Sequence, residues 1–163
     1  MARSNFDEAS FAGASMADAR IEGSSLRTAD LDRISAPGLR ASDGADLSEA
    51  RLRWARLTGA SFADSLLIGT KLTESDLTRA CFARARMQGA ELLAIRARGA
   101  TFADAQLTAA SLAGSDLLGA RFEGTHLHLA DLSAANLYQA ELWRAVVTDV
   151  RLDGANIEGT KLA

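Results

Sequence analysis

Three things that ordinary domains use are scarce in this chain. It has one cysteine, one proline and an aromatic content of only 6% in 163 residues. A lone thiol, Cys81, excludes an internal disulfide framework and suits a reducing compartment. Long apolar runs are missing too: none approaches the ~20 residues that a membrane-crossing helix needs. The opening Met1-Ala2-Arg3-Ser4-Asn5 leads into no signal-peptide core. These absences point to the cytoplasm and away from the membrane. Charge of one sign is also lacking, because 18 Lys+Arg face 21 Asp+Glu for a net of −3. That balance is too small to mark a nucleic-acid binder. What the chain does have is 48% hydrophobic residues, enough for a folded core. With so few aromatics and prolines, something repetitive must fill that core and turn the chain.

The repeat has a period of five. Large apolar residues fall at Phe6, Phe11, Met16, Ile21, Leu26 and Leu31, and resume from Leu47 through Leu52, Leu57, Phe62 and Leu67 onward. From Phe102 the series runs every fifth residue to Leu162. Two residues before the central position stands a small residue in almost every unit, as in Ala45-Asp46-Leu47 and Ala130-Asp131-Leu132. Counting the less regular stretch 32–46, the chain holds 32 pentapeptides, and 29 of their central residues are large and apolar. Neither a helix, which needs spacings of three and four, nor a strand, which alternates, accounts for this pattern. A coiled coil needs a period of seven.

Glycine defines the backbone. Twelve of the 13 glycines lie two residues after a central position. If each unit turns a corner starting at its central residue, that glycine is the third residue of the turn. A type II turn requires positive φ there, which glycine adopts without steric cost. The single proline agrees, since Ala36-Pro37-Gly38-Leu39 puts Pro second and Gly third. A second period sets the shape: Phe62, Phe82, Phe102 and Phe122 recur at intervals of 20. Twenty residues therefore make one four-sided coil, and the repeat count predicts about eight coils. The central alanines Ala36, Ala41 and Ala97 each follow a large residue two places earlier (Ile34, Leu39 and Ile95), which restores the lost volume. Residues 32–46 are thus expected to continue the coil. Asp43-Gly44 carries a one-residue register offset within a single domain, 1–163.

With the units Ala29-Asp30-Leu31, Ala45-Asp46-Leu47, Ala130-Asp131-Leu132, Ala135-Asn136-Leu137 and Ala155-Asn156-Ile157 in view, the sequence resembles the pentapeptide-repeat family, Ala-(Asp/Asn)-Leu-X-X. The resemblance covers essentially the whole chain. It implies an all-β fold, a right-handed quadrilateral β-helix whose central and preceding small residues point inward. It implies little about function, since the repeat encodes a rod rather than a site.

Chemistry-bearing groups are sparse. His126 and His128 flank Leu127 and point outward, with no third ligand at metal-site spacing. Cys81 lies on another side, away from any base. No phosphate loop, dinucleotide fingerprint or nucleophile elbow is present. No catalytic residue, cofactor or metal is assigned. Charge falls in bands: residues 51–98 carry 9 basic and 4 acidic side chains, and both flanking segments are net −4. Outward positions also hold Trp54, Leu118, Tyr138 and Trp143, candidates for contact with a protein partner because aromatics are enriched at interfaces. Leu118 and Tyr138 are 20 apart and stacked, with Trp143 on the next side. A solenoid's terminal coils need covering. The chain begins its first unit at Ser4 and stops one residue after Leu162, leaving no residues for a capping helix. Val147, Leu152, Ile157 and Leu162 are therefore expected to form an end-to-end homodimer contact.

These readings favour a non-enzymatic protein-binding or scaffold module. The alternative implied by the resemblance is a DNA mimic that binds DNA gyrase or topoisomerase IV and confers fluoroquinolone resistance, as some family members do. Mimicry needs a long acidic surface in place of phosphates, and the arginine belt of residues 51–98 departs from it.

Overall fold

A unit such as Ala45-Asp46-Leu47-Ser48-Glu49 has five backbone N–H groups to satisfy, and the way it does so generates the architecture. In the computed structural model, which describes residues 4–161, Ala50 N–H donates back to Leu47 O (3.0 Å), closing a four-residue turn at the corner. Leu47 N–H donates to Leu66 O (2.8 Å) and Glu49 N–H to Ile68 O (2.9 Å), both one coil further on. Asp46 N–H reaches the preceding coil at Ser24 O (2.9 Å). The remaining donor, Ser48 N–H, is taken by the Asp46 side chain at 2.9 Å. That local Asp or Asn bond recurs at Asp30, Asp76, Asn136 and Asn156, and it is the physical reason for the acidic or amide residue before the central one.

The inter-coil bonds build four ladders of parallel bridges. The first runs through Asn5, Ser25, Asp46, Leu66 and Arg86 to Val146, and the second from Ser10 through Asp30, Arg51 and Lys71 to Arg151. The third runs from Ser15 through Ser35, Arg56 and Asp76 to Asn156, and the fourth from Arg20 through Arg40, Ser61 and Cys81 to Lys161. Partners are 20 residues apart, except where a pair straddles Gly44, as in Ser25–Asp46 and Arg40–Ser61, where they are 21 apart. At that corner both Asp43 and Gly44 have positive φ (55° and 80°), and Ala45 N–H closes on Ser42 O at 3.2 Å. The ladders run through the insertion unbroken.

Inward faces carry the core. Phe62, Phe82, Phe102 and Phe122 stack in one column behind the fourth ladder, with centroids 5.0–5.1 Å apart and planes within 6°, and all four rings are fully buried. Ile34, Leu39 and Ile95 are buried beside Ala36, Ala41 and Ala97. Hydroxyls at the small inward position are satisfied by main-chain carbonyls, as Thr70 Oγ1 is by Leu47 O (2.8 Å) and Thr125 Oγ1 by Phe102 O (2.7 Å). The third turn position has positive φ whether or not glycine occupies it: Gly89 is at 65° and Ala109 at 56°.

Candidate functional site

Outward-facing side chains at the corners are where a straight, regular rod can differ from its neighbours. Trp54 sits at a left-handed corner (φ 57°) and is 41% exposed. The guanidinium carbons of Arg33 and Arg53 lie 5.2 and 5.1 Å from its ring centroid, a cation–π arrangement from two coils. Arg53 in turn binds Asp32, its Nε 3.0 Å from one carboxylate oxygen and its Nη2 2.5 Å from the same atom. Burial pushes the Asp32 carboxyl up, but the hydrogen bonds from Arg53 outweigh it and hold the group below its ordinary 3.8. Arg51 binds Asp30 at 2.6 Å. Together with Ala12 and Gly13, these residues line one shallow groove across the second ladder.

The aromatic residues near the other end are arranged differently. Leu118 and Tyr138 stack on the third ladder, half-buried, with Gly119 N–H donating to Tyr138 O at 2.9 Å. Trp143, at the next corner and 50% exposed, lines a depression with Glu123, Glu141 and Lys161. Among the described residues no ring contact joins Trp143 to Tyr138, and Trp54 stands far along the rod from both. Glu141 and Lys161 pair at 2.8 Å, and that bond holds the Glu141 carboxyl below its ordinary value.

The arginine belt proves to be largely neutralised from coil to coil. Arg84 binds Asp64 (2.6 Å), Arg96 binds Asp76 (3.4 Å) and Arg98 binds Asp116 (2.5 Å). Arg56, Arg79 and Arg86 have no ion pair among the described residues. His128 Nδ1 lies 3.8 Å from Asp149, and no cluster of three His, Cys, Asp or Glu side chains with metal-site geometry occurs among the described residues. Cys81 is half-buried on the fourth ladder, whereas His126 belongs to the first.

The comparisons place this geometry. The family model for pentapeptide repeats (8 copies) matches residues 1–33, 45–82, 55–92, 90–128 and 130–163. The chain belongs to the pentapeptide-repeat family. Stretch 34–44, which the matches omit, carries two of the large residues at the small position, Ile34 and Leu39, and the inserted Gly44. Members fold as a right-handed quadrilateral β-helix, and the ladders here are its four sides. QnrB1, a plasmid-mediated fluoroquinolone resistance protein, has a similar fold: 18% identity, TM-score 0.54, covering 100% of this chain and 90% of that one. HetL, involved in heterocyst differentiation regulation in Nostoc sp. strain PCC 7120, is 24% identical with a TM-score of 0.35, covering 99% of this chain and 88% of its own. A pentapeptide-repeat protein from the Arabidopsis thaliana thylakoid lumen is 32% identical over 57% of this chain and 61% of its own, with a TM-score of 0.35. No curated protein matches the chain in sequence.

Val147, Leu152 and Ile157 are exposed central residues of the pentapeptide rod and, with Leu132, Leu137 and Leu142, line an apolar opening. Leu162 lies outside the described residues. At the opposite end Phe6, Phe11 and Met16 are half-buried, and Phe6 meets Phe11 edge-on at 5.7 Å. Sequence reasoning found the exposed tryptophans from their outward register but missed Arg33 as the partner of Trp54. The signal was available: with the Gly44 insertion counted, the two residues are one coil apart in the same column.

Proposed function

We propose that this chain is a non-enzymatic binding module, a single rod of about eight four-sided coils over residues 1–163 that presents its outer corners to a protein partner in the cytoplasm. Large apolar side chains held in water at left-handed corners support this reading: Trp54, and Leu129, which is 54% exposed at φ 59°. Both are exposed and conformationally costly, a combination that core packing does not require. Trp143 and, apart from it, Leu118 with Tyr138 are further outward positions for such a contact. The test is retention of a stoichiometric partner from cell extract by the immobilised protein, compared with W54A and W143A. Loss of the partner in either variant with the fold intact supports the reading. Equal retention by both, or no partner at all, rejects it.

The same reading includes a homodimer through Val147, Leu152 and Ile157. Light scattering at ~100 μM, well above the Kd of an interface of about −8 kcal/mol, should return twice the chain mass. A gyrase-binding DNA mimic is the alternative, and a supercoiling-inhibition assay tests it. The surface argues against it, because Asp30, Asp32, Asp64, Asp76 and Asp116 are engaged by arginines instead of forming a free acidic track.

A further inference from the structure

Arg33 and Trp54 occupy successive corners of one column on the second ladder. Most of that column carries nothing beyond Cβ: Gly13, Ala94, Gly114, Ala134 and Gly154. The two guanidiniums stacked on Trp54 differ in what holds their N–H edges. Arg53 is complete, with its face on the indole and its fork on the Asp32 carboxylate, whose other oxygen also accepts the Arg53 backbone N–H at 2.9 Å. Arg33 lies over the same indole, but among the described residues its guanidinium N–H groups have no acceptor. Stacking occupies the face of a guanidinium and leaves its five in-plane donors free for a bidentate anion. Arg53 with Asp32 is therefore the finished form of a contact of which Arg33 is the open half. Beside it, nothing lies within 4 Å of where a Gly13 Cβ would stand, so the groove has room along the preceding coil.

We propose that this groove binds an acidic peptide segment of a protein partner, with one carboxylate held in the fork of Arg33 and an apolar neighbour laid against the exposed part of Trp54. The proposal rests on the protein-binding reading above and names where and what that partner touches. A carboxylate fits better than a phosphate for two reasons. Asp32 already shows the carboxylate contact on the twin arginine. Asp30 and Asp32 line the groove and Glu74 takes the next corner of the column, so a dianion meets more like-charge repulsion there than a monoanion does.

The test is an NMR titration of the full chain, reading the Arg33 Nε–H and Trp54 indole N–H signals. The probe is a blocked pentapeptide with one glutamate beside one phenylalanine among serines; its glutamine counterpart and inorganic phosphate are the controls. Saturable shifts of both signals with the glutamate peptide alone are expected. R33Q should weaken binding about tenfold or more, as loss of a charge-assisted bidentate contact does. R33K, which keeps the charge but not the fork, should still lose most of the affinity. R56Q, which removes a belt arginine of the third ladder, should change it less than about twofold. The proposal is overturned if R56Q weakens binding as much as R33Q, if R33K binds like the parent, if phosphate binds as well as the peptide, or if no saturable shift appears. A partner retained equally by wild type and R33Q would also overturn this groove while leaving the protein-binding reading intact.

Discussion

Ala109 holds a φ of 56° at an exposed corner where twelve other units use glycine. A Cβ in that region costs roughly 1–2 kcal/mol, and glycine gives back about 0.5–1 through its unfolded-state entropy. Ala109→Gly should therefore stabilise the protein by about 0.5–1 kcal/mol, and Gly89→Ala, at φ 65° with open space around its Cβ position, should destabilise it by a similar amount. Urea melts of both variants check the sign. A second residue-scale effect is internal. Ile95 N–H donates to Ser115 Oγ (3.2 Å), whose hydroxyl donates to Leu92 O (2.8 Å), so one buried hydroxyl bridges the turn of the preceding coil. Ser115→Ala strands that N–H and should cost about 1–3 kcal/mol, read as a lowered melting temperature. The glycine register was legible in sequence as a corner. That non-glycine residues share the same left-handed backbone was not, because their side chains give no sign of positive φ. The hydroxyl bridge was equally hidden, since it depends on which inward carbonyl lies one coil away.

The corner at Gly44 is the one irregular element, and the ladders show how it is absorbed. Residues before it pair at 21 with residues after it, both corner positions are left-handed, and inter-coil bonding resumes at Asp46 N–H to Ser24 O. Removing Gly44 would leave Ala41-Ser42-Asp43 followed directly by Ala45-Asp46-Leu47, an ordinary spacing of five. Deletion of Gly44 should then preserve the fold and change stability by less than about 1 kcal/mol, because no inward side chain or ladder bond is lost. Deletion of Ala60, inside a regular unit, turns the inward residues after it outward and should abolish the cooperative melt seen by circular dichroism. At this scale sequence is a good guide, because a five-residue spacing and a 20-residue phenylalanine period are each imposed by geometry. The stacked pairs on different ladders are harder to read. Tyr138 and Trp143 are one unit apart, five residues, and on adjacent corners, yet Trp143 turns to Glu141 and Lys161, a choice of side-chain direction that periodicity does not encode.

Across the whole molecule, charge is organised along the rod and not by segment. Segment totals suggested a cationic belt, but carboxylates of adjacent coils reach back to most of those arginines, a register visible only when the sequence is written in columns of 20. Several of these carboxylates titrate low. The Arg84 hydrogen bond lowers Asp64, and the Lys161 bond lowers Glu141. Burial raises Asp32 and Asp76, but is outweighed by Arg53 in one case and by Thr78 and Arg96 in the other. A carboxyl whose folded pKa lies below its unfolded value adds stability that is fully present above the unfolded value and is lost as pH falls through the folded one. For these aspartates the unfolded value is the ordinary 3.8. The melting temperature should thus be level from neutral pH down to about pH 5, then fall steeply below pH 4. Because the cationic ends of these pairs are exposed, added salt at pH 7 should reduce stability only slightly. Neutralising Asp32 as D32N should flatten part of the acid limb, since Arg53 then loses the same partner at every pH. A melting temperature unchanged between pH 7 and pH 2.5 would mean that these ladder pairs contribute nothing to the folded state. In that case the inward residues and the inter-coil backbone bonds alone would hold the coils together.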